Sequence, residues 1–317
     1  MRGLHLAIGL TSLLFIATCF AATKSLPDLG NGASLHGLRV LPDDSPWNQD
    51  ISKSPVDPNS AALIASIGAN KPLHPDFGTT WKGHPNGIPY VVVDSKQPNV
   101  KVTFTDYGDE SDPGPYPIPH DAPIEGGPDA DGDRHVIVFN RDTQKLYEMW
   151  KAFPDEGANW KAACGAVWDL KTGAPRKQGW TSADAAGLPI FPGLVRYDEV
   201  IEQMEIRHAL RFTIQRSRHA YVAPATHYAA KSNDPKLPPM GMRVRLKAIV
   251  DISKYPPSTK VILKCLQTYG MIVADNGGDW FLSGSPNEKW NEDELHALSK
   301  VHGKDFEVVK MGQLVTR

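Results

Sequence analysis

Two segments in the second half of the chain alternate between side chains that suit a core and side chains that suit solvent. Residues 208–215, HALRFTIQ, place Leu210, Phe212 and Ile214 on the side of His208, and Arg211 and Thr213 on the other. Residues 243–250, RVRLKAIV, repeat the pattern, with Arg243, Arg245 and Lys247 opposite the aliphatic residues. Because successive side chains of a strand point to opposite faces, both segments predict half-buried β-strands.

Further strands are indicated by β-branched and aromatic runs. Residues 88–95 (IPYVVVDS) and 100–107 (VKVTFTDY) are predicted to form adjacent strands. Residues 135–140 and 144–150 are predicted to pair as a hairpin across Arg141 to Thr143.

Three segments predict helices. Residues 57–68 open with Asp57 and Pro58 and close at Gly68. Residues 258–270 place Ile262, Cys265, Leu266 and Tyr269 on one stripe, and residues 291–303 open with Asn291 followed by Glu294, which resembles a capping box. Many strands and few helices favour an α+β or mainly β fold of antiparallel, sandwich-like sheets, with a few short helices and long loops rich in Pro and Gly.

The first 22 residues have the pattern of a secretory signal peptide, with an early Arg2, an apolar run and small residues at Ala21 and Ala22. Residues 23–55 predict an irregular N-terminal arm, and residues 56–317 a single globular domain. The organisation predicts a protein that is secreted, either to the extracellular space or to a periplasm, with no membrane span after the signal.

Composition excludes some partners. A formal net charge of -2 lacks the basic excess of general nucleic-acid or anionic-membrane binding. Only Cys164 and Cys265 follow the signal peptide, and they form either one disulfide or two buried free thiols. Cys265 is expected to be buried because it lies on the apolar stripe of its helix. The sequence does not determine the oligomeric state.

Several familiar catalytic motifs are missing from the sequence, namely the Gly-x-Ser-x-Gly elbow, the His-Glu-x-x-His zinc motif and a phosphate-binding Gly-rich loop. Asp129, Asp131 and Asp133 are spaced like the start of a calcium loop, but Asn140 stands where such a loop needs a bidentate Glu. Calcium at these three residues is one hypothesis and a solvated acidic turn is the other, with no other cofactor expected.

Aromatic and basic residues suggest a glycan partner. Trp180 and Trp280 stand beside Gly and Asp residues, an arrangement that suits stacking on sugar rings, although tryptophans also pack loops onto a core. If the strands that carry them pair, Arg211 and Arg245 belong to a basic patch that could hold an acidic polysaccharide. The alternative is a solvated sheet face.

Candidate catalytic residues cluster around residues 179–200, GWTSADAAGLPIFPGLVRYDEV, in which Pro189 and Pro192 prevent a regular helix. This segment is interpreted either as a structural crossover or as a loop that holds carboxyl groups in a cleft. In the second interpretation Asp184 is the acid, and Glu199 or Asp275 is the base or nucleophile. For an elimination, His208 or His227 becomes the general base. The Pro-rich loop from Asp109 to Asp133 is expected to border the same cleft.

These features lead to one hypothesis and its alternatives. The chain is expected to be a secreted carbohydrate-active enzyme, either a glycoside hydrolase or a polysaccharide lyase, that acts on a polysaccharide or cell-wall glycan. A non-catalytic carbohydrate-binding or cell-wall-associated protein, and a structural surface protein without a small ligand, remain open.

Overall fold

The computed structural model describes residues 25–316. The predicted signal peptide lies outside the described residues. Within them, no helix has the length and apolar character needed to cross a bilayer.

Regular structure is dominated by short strands. In chain order they are β1 (Gly30–Asn31), β2 (His74–Asp76), β3 (Thr80–Trp81), β4 (His84–Pro85), β5 (Val91–Val93), β6 (Val102–Phe104), β7 (Val136–Asn140), β8 (Lys145–Trp150), β9 (Phe153–Pro154), β10 (Trp160–Ala162), β11 (Cys164–Asp169), β12 (Leu210–Ile214), β13 (Arg243–Leu246), β14 (Met271–Asn276), β15 (Phe281–Ser283) and β16 (Phe306–Val308). The α-helices are α1 (Ser60–Ile67), α2 (Pro257–Thr268) and α3 (Glu292–His296). Short 3-10 turns and one π-helical turn, Asp198–Glu202, complete the regular elements.

The strands form two large sheets and two small ones. The five-stranded sheet has the order β1-β5-β7-β8-β11, and the six-stranded sheet has the order β16-β13-β14-β12-β15-β2. A three-stranded sheet, β6-β10-β9, and the hairpin of β3 with β4 are the others. The predicted mixed fold, mostly of sheets rich in antiparallel pairs and with few short helices, is confirmed.

The five-stranded sheet is apolar on both faces. Val91 and Val138 point into a smaller core, whereas Val92 and Ile137, which alternate with them, point into the main core. The three-stranded sheet closes the smaller core, to which Trp160 contributes. The main core lies between the two large sheets and extends to the helices of the six-stranded sheet.

Local sequence patterns predicted several elements correctly. The hairpin of β7 with β8 forms as expected, with Val136 opposite Met149 and Asn140 opposite Lys145. The first two predicted helices form, whereas the third is α-helical only over Glu292–His296 and continues as a 3-10 turn, Ala297–Lys300. Asn291 caps α3 by accepting a hydrogen bond from the backbone N–H of Glu294.

Some expectations about packing were wrong. The strands β5 and β6 are not paired, because β5 lies between β1 and β7 while β6 pairs with β10. Strand β12 is buried on both sides rather than half-buried, since Arg211 is covered by protein and neutralised there. In the Pro-rich loop from Asp109 to Asp133, Tyr116 and Ile118 pack into the smaller core.

Among the described residues, Cys164 and Cys265 are free thiols, and both are buried. The Cys265 thiol donates to the backbone oxygen of His208, and the Cys164 thiol donates to that of Ser182. Of the two alternatives from the sequence, the structure has the buried thiols, and the expected burial of Cys265 is confirmed.

Candidate functional site

The segment from residue 179 to residue 195 bridges the two large sheets. On the side of the five-stranded sheet, the Glu148 carboxyl on β8 accepts hydrogen bonds from the backbone N–H groups of Ile190 and Phe191 and from the Trp168 indole. On the side of the six-stranded sheet, Asp184 binds Arg211 of β12. The irregular backbone is therefore held by charged groups at both ends, which fixes where Asp184 lies.

Asp184 and Arg211 form a buried bidentate ion pair. The Arg211 Nη2 donates to Oδ1 at 2.8 Å and Nε donates to Oδ2 at 3.1 Å, while Nη1 donates to the Ser283 hydroxyl on β15. The Asp184 side chain is 0% exposed. Such a planar two-point contact fixes both groups, so neither is free to hold a substrate.

Asp275 lies beside this ion pair on the neighbouring strand β14. One oxygen accepts a hydrogen bond from the backbone N–H of Asn276, and the carboxyl is partly accessible to solvent. Burial and then repulsion by Asp184 raise the pKa of Asp275 to about 7, with Arg211 opposing. A carboxyl group with a pKa raised in this way can keep its proton at a pH near neutral.

Asp76 lies on the other side of Arg211, at the edge strand β2. It pairs in register with Ser283 of β15, whose hydroxyl contacts Arg211. Asp76 is solvent exposed, yet burial raises its pKa, while His74 and Arg211 oppose this and Glu125 adds to it. We call the surface formed by Asp76, Asp275 and the Asp184–Arg211 pair the carboxyl cleft.

A second ion pair supports the cleft. The Glu125 carboxylate, in the Pro-rich loop, lies 2.6 Å from the His135 Nδ1, and the His135 Nε2 lies 3.0 Å from the backbone oxygen of Ala183. Burial disfavours a charged imidazole, but Glu125 outweighs it and raises the pKa of His135 to about 9. A charged His135 donates from both nitrogens and so fixes the backbone next to Asp184.

Glu199 and His208 belong to a separate buried network. The His208 Nε2 lies 3.0 Å from the Glu199 carboxylate, which also binds Arg196 at 2.6 Å. Although burial alone would raise it, Arg196 and His208 hold the pKa of Glu199 below its usual range. This network anchors the N-terminal arm, because Asp198 in the same turn accepts a hydrogen bond from the backbone N–H of Leu35. Glu199 and Asp184 therefore belong to different ion-pair networks.

The other predicted site residues lie in different settings. His227 is half-buried, and its Nδ1 lies 2.8 Å from the backbone oxygen of Ala185, so it holds the bridging segment. The Trp180 ring is flanked by the cationic groups of Arg176 and Lys177.

Trp280 is 0% exposed and stacks between Phe212 and Phe306, so its ring has no free face for a sugar. Arg245 donates to Glu307 and to the backbone oxygen of Ile51. The predicted basic patch required the strands of Arg211 and Arg245 to pair directly. Strand β14 lies between those two strands, so this condition is not met.

The calcium hypothesis stays a prediction. Asp133 accepts a hydrogen bond from the Trp150 indole at 2.9 Å. Across residues 25–316, no group of three or more His, Cys, Asp or Glu side chains is arranged to hold a metal ion.

Sequence reasoning missed Asp76, Glu125, His135 and Glu148. For Asp76 a signal existed, because Leu73, Pro75 and Phe77 are buried and alternate with exposed His74 and Asp76, as in a strand. Glu148 is the one acidic residue in the apolar run of β8. The partners of both residues lie far away in the sequence.

Comparison of the chain with models of known families, with curated proteins and with solved structures gives no match.

Proposed function

We propose that the chain is an enzyme that hydrolyses glycosidic bonds, with Asp275 as the general acid. The observation that carries the proposal is the pair of neighbouring carboxyl groups in unlike settings. Asp184 is paired with Arg211, while Asp275 is partly open to solvent with a pKa raised to about 7. Glycoside cleavage needs such a protonated carboxyl group, because the leaving sugar oxygen must receive a proton.

The surroundings of Asp275 also suit a sugar chain. In the six-stranded sheet Asp275 pairs with Thr213, Thr213 with Phe281, and Phe281 with His74. Paired residues share a face, so the acid, the hydroxyl group of Thr213 and the adjoining, tilted rings of Phe281 and His74 form one row across four strands. Aromatic rings beside polar groups suit the mixed apolar and hydroxyl surface of a sugar.

Charge favours hydrolysis over elimination. An acidic-polysaccharide lyase needs free cations for the substrate carboxylates, but Arg211 is paired with Asp184 and Arg245 with Glu307. His135 is likewise paired with Glu125, and the accessible carboxyl groups of the cleft are those of Asp76 and Asp275. An anionic substrate would be repelled there, so we propose a neutral or amino-sugar glycan as substrate. Secretion, indicated by residues 1–22, is part of this proposal.

The test is incubation of the purified protein with a panel of neutral, amino-sugar and acidic polysaccharides. We expect new reducing ends from a neutral or amino-sugar glycan, without the ultraviolet absorbance of unsaturated ends. Asp275→Asn keeps the shape but removes the proton, and should lower turnover by roughly 10²- to 10⁴-fold at an unchanged melting temperature.

Asp44→Asn serves as the control, because Asp44 is exposed on the N-terminal arm and should leave turnover unchanged. Binding of a glycan without product would favour the non-catalytic carbohydrate-binding alternative. Full activity of a folded Asp275→Asn protein would contradict the assignment of the acid.

A further inference from the structure

A cavity of about 190 Å³ lies between the N-terminal arm, the turn that follows β11 and the segment that bridges the two large sheets. The buried part of its lining is apolar and consists chiefly of Leu41, Trp47, Trp168, Leu170 and Leu188. Asp169 and Gln178 belong to the exposed part of the lining. Among the described residues that line the cavity, none belongs to the carboxyl cleft, so this is a separate site.

The walls of this cavity are fixed by hydrogen bonds within the protein. In the N-terminal arm, the Asn48 side-chain amide donates to the backbone oxygen of Leu41 at 3.0 Å. On β11, the Trp168 indole N–H donates to the Glu148 carboxyl at 3.1 Å. Both walls therefore keep their shape without a ligand, as is usual for sites that bind small molecules.

Trp47 brings an unused hydrogen-bond donor to the cavity. The residue is 3% exposed, and the Cζ3 and Cη2 atoms of its ring lie against Gly193. Among residues 25–316 its indole N–H has no hydrogen-bond partner, yet the nitrogen is not sealed off from solvent. Because Trp47 lines the cavity, this donor is available to an oxygen atom of a ligand there. A largely buried donor without a partner costs free energy, which such a ligand would recover.

The lining selects against charged ligands and against sugars. Asp169 is the one ionisable residue among the described lining residues, so an anionic ligand would find no cation there. The guanidinium of Arg176 already lies 5.7 Å from the centre of the Trp168 ring, which disfavours a second cation at that ring. A sugar would bring many hydroxyl groups against the apolar lining, where most would lack hydrogen-bond partners. A fitting ligand is therefore neutral and mostly apolar.

We propose that this cavity binds a neutral aromatic compound with a single ring and one hydroxyl group, of which phenol is the simplest. An apolar protein cavity of about 150 Å³ takes up benzene, so one of about 190 Å³ has room for a ring with a substituent. Aromatic rings gain from offset or edge-to-face contact with other rings, which Trp47 and Trp168 supply. The ligand oxygen accepts a hydrogen bond from the Trp47 indole N–H, a donor that an alkyl chain would leave unpaired.

The test is calorimetric titration of the purified protein with phenol, cyclohexanol and benzoate, which does not depend on the cleavage of any glycan. We expect phenol to bind with a dissociation constant below about 1 mM, within the affinity range of such small ligands. Cyclohexanol is a saturated ring of similar size and should bind roughly 2- to 10-fold more weakly, because it lacks the ring–ring contacts. Benzoate should bind more than roughly tenfold more weakly, because its charge would be buried without a partner.

The location is tested by nuclear magnetic resonance and by substitution. In the wild-type protein, phenol should show nuclear Overhauser contacts with the rings of Trp47 and Trp168. Trp47→Phe keeps an aromatic ring but removes the donor, so it should weaken phenol binding by roughly 2- to 10-fold more than the binding of toluene, which has no oxygen. Trp81→Phe is the matched control, because Trp81 is 66% exposed on β3 and does not line the cavity.

Several outcomes would overturn the proposal. They are no binding of phenol at millimolar concentration, equal binding of phenol and cyclohexanol, and Overhauser contacts that lie outside the cavity. An equal effect of Trp47→Phe on phenol and on toluene would overturn the role of the indole donor. The wild-type titration and the Overhauser contacts decide the matter even if the Trp47→Phe protein does not fold.

Discussion

At the scale of single residues, the same chemical group has different roles according to what surrounds it. Asp184 is paired with Arg211, the pKa of Asp275 beside it is raised to about 7, and Asp76 is open to solvent. The sequence pointed to Asp184 and Asp275 from their neighbours in the chain. It did not point to Asp76 or Glu148, because the groups that define their environments are supplied by distant segments.

Glu148 provides a stability test of the bridging segment. It is fully buried and accepts three N–H donors, from Ile190, Phe191 and Trp168, and burial raises its pKa to about 7. In Glu148→Gln an amide nitrogen must face one of these donors, so we expect a loss of about 1 to 3 kcal/mol in the free energy of unfolding.

The measurement is denaturant unfolding at pH values below and above 7. Because burial raises the pKa of Glu148 from 4.5 to about 7, the folded protein favours the protonated carboxyl, and the stability that this group contributes falls as the pH rises through that range. The loss in Glu148→Gln should therefore be larger at pH 4.5 and below than above pH 7. Glu288→Gln, at an exposed position, should leave the stability unchanged. Equal stability of Glu148→Gln and the wild type would show that Glu148 does not hold the segment.

At the scale of elements, sequence patterns predicted the helices and the hairpin, because these form through contacts between residues that are close in the chain. The helices α2 and α3 followed from their apolar stripes and end signals, and the β7–β8 hairpin from two runs with a short turn. Which strands become neighbours was not predictable in this way. Strands β5 and β6 follow one another in sequence but enter different sheets, because pairing depends on the cores that each face covers.

The start of α3 offers an element-scale prediction. The Asn291 side chain accepts a hydrogen bond from the backbone N–H of Glu294, and the Glu294 carboxylate accepts one from the backbone N–H of Ser258 in α2. We expect Asn291→Ala to lower the free energy of unfolding by about 1 kcal/mol. Asn291→Asp keeps the acceptor and should retain wild-type stability in thermal unfolding, and a loss of equal size in both variants would argue against the cap.

At the scale of the whole molecule, the fold assembles the carboxyl cleft from segments that are far apart in sequence. Asp76 precedes the five-stranded sheet, Asp184 lies in the bridging segment, and Asp275 lies on β14 near the end of the chain. The segment that bridges the two large sheets buries the Asp184–Arg211 ion pair beneath the accessible carboxyl groups. The burial of Asp275 and its proximity to Asp184 both follow from the fold, and together they raise the pKa on which the proposed chemistry depends.

The most direct test of the account is the titration of the Asp275 carboxyl carbon by nuclear magnetic resonance, assigned by the loss of its signal in Asp275→Asn. We predict a midpoint at about pH 7. Since the acid works only when protonated, kcat/KM should also fall as the pH rises through the same midpoint. A midpoint near 3.8, the ordinary value for an aspartate, would mean that Asp275 is ionised at neutral pH and would contradict its role as the acid.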